Sequence, residues 1–138
     1  MAQHTWWGEP AVGDVVWCHF PHLPHLEPGP KPRPVLVIKV FDDHDPHFHV
    51  LVAYGNSQKA DKLAQGEFSI TSADKAAYTL AGLSFDTKFS FKQLLELPYH
   101  HGFFKPPPVA SKANSPRLGI LHSNIMRKAQ AAWQAVKA

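Results

Sequence analysis

Proline placement is the tightest constraint on how this chain can fold. The sequence has 13 prolines, and they gather mainly in two stretches, Pro21 to Pro34 and Pro98 to Pro116. Proline lacks a backbone donor and fixes φ, so neither stretch can be a helix interior or a central strand. Both read as ordered or semi-ordered loops, and regular structure must fit around them. The first, running from His19, is stiffened by its prolines yet long enough to act as a lid.

The remaining apolar segments read mostly as strands. Gly13-Asp14 closes a turn-like lead-in, and Val15 to Phe20 follows as the first strand. Both of its faces are largely apolar (Val15 and Trp17; Val16, Cys18 and Phe20), as expected of a strand buried in a small barrel. Arg33-Pro34 opens a second strand, Val35 to Phe41, and Phe48 to Tyr54 makes a third. The Asp42 to Pro46 turn cluster between them predicts a hairpin. Glu67 to Ile70 reads as a short edge strand. Thr71 to Asp74 starts a brief helical turn, capped by Thr71 or Ser72. Leu83 to Phe91 reads as another strand.

One helix is expected, Asn124 to Val136, capped by Ser123. Ile125, Met126, Ala129, Ala132, Trp133 and Val136 fall on one stripe at helical spacing, suited to packing on a sheet. The expected fold class is therefore mainly β, with one C-terminal helix. The expected organisation is a single domain over 1–138, comprising an N-terminal arm at 1–11, a Pro-rich surface excursion at 98–116 and the helix at 123–137.

Length and composition agree with that reading. A chain of 138 residues suits one domain, and 44% hydrophobic residues suffice for a core. Apolar runs such as Pro34 to Ile38 are far too short to cross a bilayer. Met1 to Pro10 lacks the basic and apolar regions of a secretion signal, and the single Cys18 excludes an intrachain disulfide. Cytoplasm is the expected compartment. Lys and Arg number 14 against 11 Asp and Glu, and the pI is about 9.1. That excess permits a nucleic-acid partner without requiring one.

Three chemically useful groups stand out: Arg33 at the start of the second strand, the Asn56-Ser57 pair at the end of the third, and Asp86 inside the later strand. Strand ends in a small barrel converge on one rim. An arginine can hold a phosphate bidentately, a serine hydroxyl can donate to a phosphate oxygen, and a carboxylate can move a proton. Together they suit RNA cleavage by attack of the 2′-OH on the adjacent phosphorus. The plainer readings are a rim ion pair of Arg33 with Glu27 or Asp86, a turn-forming Ser57, and an exposed strand carboxylate at Asp86.

Six of the ten histidines form two conspicuous groups. His19, His22 and His25 recur in the first loop, where an imidazole on a lid can act as general base near neutral pH. His25 is the candidate. His44, His47 and His49 flank the Asp42 to Asp45 turn. Histidine with carboxylate can bind zinc or nickel, but neither group has a known structural zinc spacing, so no metal ligand is assigned. Trp6 and Trp7 can stack on bases or pack the N-terminal arm against the core.

The order and spacing of these segments resemble the PemK/MazF type II toxins. The resemblance rests on Gly13-Asp-Val-Val-Trp17, then Arg33-Pro-Val-Leu-Val-Ile38 at loop distance, then Leu51 to Gln58. Ala81 to Phe89 and the helix after Leu118-Gly119 are similar to later segments of the family. It covers about residues 12 to 97 and 117 to 137. It implies an SH3-like barrel of the PemK/MazF/CcdB type, a homodimer and an endoribonuclease acting on single-stranded RNA. It also implies a mechanism without metal or cofactor and a small antitoxin seated in the RNA groove.

Matched by position, Arg33 corresponds to the family's catalytic arginine, Ser57 to the second member of its Thr/Ser pair, and Asp86 to the PemK-branch carboxylate. His25-Leu-Glu27-Pro-Gly29 resembles that branch's His-Glu segment. Lys31, Asn56, Gln58, Lys59 and Lys88 are the candidate RNA contacts. Three positions depart from the pattern: Asn56 replaces threonine, Ser84 an arginine, and Phe89 a frequent basic residue. They motivate an alternative, a cleavage-impaired PemK-like nucleic-acid-binding protein or a CcdB-like gyrase inhibitor. A histidine-loop metal protein is a third reading.

Overall fold

The structure is a computed structural model that describes residues 5–107 and 115–137. Among the described residues six strands are present: β1 (Asp14–Cys18), β2 (Arg33–His44), β3 (His47–Asn56), β4 (Glu67–Ile70), β5 (Thr87–Pro98) and β6 (Arg117–Ile120). Two α-helices accompany them, α1 (Ala76–Leu80) and α2 (Met126–Lys137). The strands form one antiparallel sheet in the order β4-β5-β3-β2-β1-β6. With β4 and β6 at opposite edges, the sheet is not closed into a barrel.

The near-continuous apolar character of the central strands has a direct cause, because both faces of the sheet are covered. On one face Val15, Leu36, Ala53 and Phe89 pack under Ala77 of α1 and under Ile125, Ala129 and Ala132. On the other, Val16, Val35, Val37 and Val52 pack under Tyr99, Phe103 and Phe104. Each fully buried side chain of this size contributes about 1.5–3 kcal/mol of transfer free energy. The N-terminal arm joins the second layer. The Trp7 amide donates to the Tyr99 carbonyl at 3.0 Å, and its indole N–H donates to Phe104 O at 2.7 Å. Both arm tryptophans are thus packing groups: Trp6 stacks on His47 and Trp7 on His101.

Several boundaries differ from the sequence expectation. The strand expected at 83–91 starts at Thr87 and continues to Pro98. Its pairing with β3 slips by three residues between Ala53 and Tyr54, and Phe91, Lys92 and Gln93 bulge out of the ladder. The turn expected over 42–46 tightens to Asp45-Pro46, because β2 runs on to His44. His122, not Ser123, caps the 3-10 turn that leads into α2, its Nδ1 accepting the Asn124 N–H at 3.0 Å. Met126, expected on the buried stripe, is exposed.

The excursion at 98–116 is not wholly superficial, since Tyr99, Phe103 and Phe104 are core residues. Aromatic side chains overcome the local proline signal by filling the second layer. Residues 108–114 of that stretch, and residues 1–4 of the arm, lie outside the described residues. No helix among the described residues is long and apolar enough to cross a membrane.

Candidate functional site

Antiparallel pairing brings the start of β2, the end of β3 and the start of β5 to the same end of the sheet. A cleft of about 290 Å³ opens there. Arg33 and Pro34 form one side, Gly55 and Ser57 another, and the loop Gly82 to Phe85 with Thr87 a third. Trp17, Leu118 and Pro107 complete it. Two close backbone approaches set its shape. A Cβ on Gly55 would strike the Pro34 carbonyl, and one on Gly82 would strike the Leu118 carbonyl, so both positions require glycine.

The electrostatics of this cleft are one-sided. Among the described residues Arg33 is the one charged side chain in its lining, and none of them places a carboxylate there. The guanidinium lies 5.5 Å from the centroid of the Tyr54 ring, within cation–π range. It makes no ion pair with a described residue. The rim pairs considered for it are absent, because Glu27 faces His25 at 3.8 Å and Asp86 accepts the Ser72 amide at 2.8 Å. The cation is therefore held by an aromatic face and, among the described residues, is paired with no anion.

Ser57 is presented by local chain geometry. The Asn56 Oδ1 accepts the Gln58 N–H at 3.0 Å, an Asx turn that fixes the corner and leaves Ser57 exposed between them. Ser84 and Phe85 stand opposite, and Phe85 is 70% exposed. The buried Thr87 hydroxyl donates to the Phe85 carbonyl at 2.8 Å and so holds that rim. A guanidinium, two exposed hydroxyls and a bare aromatic ring can together hold a phosphate and stack a base.

The other expected residues are less well gathered. Asp86 lies between two lining residues, but one of its oxygens is taken by the Ser72 amide, so it stands at the lip. His25 lies outside the lining and is solvent-exposed beside Glu27. The loop bearing it is pinned at its base by His19 and Gly29, through the Gly29 N–H to His19 O and the His19 ring to Gly29 O. Lys31 and Lys59 are exposed outside the lining, although Lys31 adjoins Pro32, which does line the cleft. Lys88 is tied up elsewhere: its ammonium pairs with Glu67 at 3.1 Å and donates to Lys62 O at 3.0 Å. Burial raises the Glu67 carboxyl, but the Ala64 amide and Lys88 outweigh it and hold the group below its ordinary value. Cys18 is buried, and desolvation pushes its thiol well up, so it is no nucleophile.

Sequence reasoning did not single out Trp17, Ser84 or Phe85 as site residues. The strand expected over Leu83 to Phe91 would include Phe85, but the strand begins only at Thr87. A scan against protein-family models finds no match, and no curated protein matches the chain.

Proposed function

We propose that this cleft binds single-stranded RNA and that the protein is a metal-independent endoribonuclease of the PemK/MazF toxin type. The observation that carries the reading is Arg33, a cation that pairs with no carboxylate among the described residues, in a cleft with Ser57 and the exposed Phe85 on its walls. Arg33 would steady the scissile phosphate and the charge that builds up at phosphorus. Ser57 would orient a phosphate oxygen, and Phe85 would stack a flanking base. The 2′-OH would attack the adjacent phosphorus, with Asp86 or the lid residue His25 exchanging its proton.

The same reading takes the open six-stranded sheet as a variant of the SH3-like PemK barrel. It makes the protein a cytoplasmic homodimer and gives it a small antitoxin that competes for the cleft. The test is incubation of purified protein with mixed-sequence RNA in EDTA. Cleavage by wild type and none by Arg33→Ala supports the reading; no cleavage, or equal cleavage by both, overturns it.

A second reading has its own support. Among the described residues no carboxylate or imidazole lines the cleft: Asp86 is engaged with Ser72, and His25 lies outside the lining. On that reading the protein binds RNA without turnover, or acts on gyrase as CcdB-type proteins do. RNA binding with no product favours the first form, and inhibition of DNA supercoiling the second.

A further inference from the structure

At the opposite end of the β2–β3 hairpin the chain gathers side chains that the RNA reading leaves unused. The hairpin pairs His44 with His47 across its turn, and His49 pairs with Pro98 of β5. Glu96, opposite Leu51, is therefore a diagonal neighbour of His49 on the same face of the sheet. The His44 and His49 rings stack at 4.1 Å between centroids, and His49 Nδ1 lies 3.5 Å from Glu96 Oε2. One donor atom from each of His44, His49 and Glu96 lies within 4.8 Å of the other two.

We propose that His44, His49 and Glu96 form a binding site for a borderline divalent transition ion, zinc foremost. Two imidazole nitrogens and one carboxylate oxygen suit zinc, nickel or copper, whereas calcium and magnesium demand a shell of oxygens. A tetrahedral zinc holds its ligands about 3.3 Å apart, so the three groups must draw together by at most about 1.5 Å, and the His44 ring must turn out of its stack on His49 to aim both nitrogens at the ion. The two outer members have that freedom, since the His44 and Glu96 side chains are about half exposed.

The inner member is held in place. His49 is only 21% exposed, and Trp6 lies behind it, 6.0 Å between ring centroids. Trp6 is fixed in turn by stacking on His47 at 4.2 Å and by edge contact with His100 at 4.9 Å. A packed aromatic support behind one ligand, with mobile ligands in front, is how a surface site becomes preorganised.

The bound ion would fasten the hairpin tip to the end of β5. It would lie some ten residues along β2 from the cleft, roughly 30 Å at strand rise, so it has no part in RNA cleavage. The site does not rest on the RNA reading.

The experiment uses full-length protein without an affinity tag, stripped with chelator and then titrated with zinc chloride by calorimetry. The expected result is one saturable zinc per chain, with affinity reduced about tenfold or more in His49→Ala and in Glu96→Gln. The double variant His22→Ala/His25→Ala should bind as wild type does. Copper should quench part of the tryptophan fluorescence, and Trp6→Phe should lose that part. If His49→Ala does not fold, as judged by its thermal melt, the exposed His44→Gln replaces it with the same expectation. Absence of saturable binding, wild-type affinity in the ligand variants, or loss of binding in the His22/His25 variant overturns the proposal.

Discussion

The Arg33 guanidinium rests 5.5 Å from the centroid of the Tyr54 ring, and the two residues sit on neighbouring strands that meet at the cleft. Tyr54 is itself packed against Phe20, with ring centroids 4.9 Å apart, so the platform is fixed from behind. The arginine thus gains orientation without losing its charge to a carboxylate. That distinguishes it from Lys88, whose ammonium is neutralised by Glu67.

Removing the guanidinium should therefore cost function and leave the fold intact. Arg33→Ala is expected to lower RNA cleavage by about a hundredfold or more, the usual effect of losing a transition-state donor. Its melting temperature should stay close to wild type, since no ion pair is broken. The slope of log affinity against log salt should also flatten by about 0.7, the single-strand value for one lost phosphate contact. Cleavage assays, thermal melts and a salt series of binding measurements check the three parts.

Tyr54→Leu probes the platform alone. A cation–π contact at a partly exposed site contributes about 0.5–1 kcal/mol, which converts to roughly two- to fivefold in affinity. RNA binding should weaken by that amount, and Arg33→Ala combined with Tyr54→Leu should bind no worse than Arg33→Ala. A double-mutant cycle on binding measures the coupling; additive losses would show that Tyr54 does not act through Arg33.

Lys88 was expected to touch RNA, and its position argues for a stability role. Its partner Glu67 is held below the ordinary carboxyl value, so the pair's contribution is present above the unfolded pKa of about 4.3 and lost as pH falls through the folded value. Asp74 behaves alike: burial raises it, but the Thr71 amide and Lys128 outweigh burial and lower it. Thermal melts should accordingly fall as pH drops below about 4. Lys88→Met should lower the melting temperature at pH 7 and flatten that acid dependence, because Glu67 then returns toward its usual value. RNA affinity should change little; a loss as large as that of Arg33→Ala would return Lys88 to the site.

How much of this was legible beforehand depends on what kind of signal each residue gave. Val15, Val35 and Val52 announced strands because β-branched runs have few other uses, and Glu67 to Ile70 was found at its observed bounds. The segment Lys92 to Leu97 gave no strand signal, since Lys, Gln, Leu and Glu favour helix locally. Pairing with β3 overrides that preference. Phe103 and Phe104 sat among prolines, and only the exposed second face of the sheet explains why they are buried.

At the cleft, Arg33 and Ser57 were readable because strand ends at one rim follow from hairpin connectivity. Phe85 was not, because its exposure depends on where β5 begins. The histidine group at 44–49 was visible as composition, but Glu96 joins it only through the β3–β5 register.

Asp86 offers the sharpest test, because its structural role and its proposed chemical role can be separated by one atom. Its Oδ1 accepts the Ser72 amide at 2.8 Å, which fastens the start of β5 to the turn before α1. Asparagine preserves an oxygen acceptor there but cannot take a proton. Asp86→Asn should therefore keep the melting temperature and the RNA affinity of wild type while cleavage falls by about a hundredfold, within the range of general-base loss. Asp86→Ala should lose about 1 kcal/mol of stability as well, the net value of such a hydrogen bond. If Asp86→Asn cleaves as wild type does, the carboxylate is only an anchor, and His25→Ala becomes the variant that must lose activity.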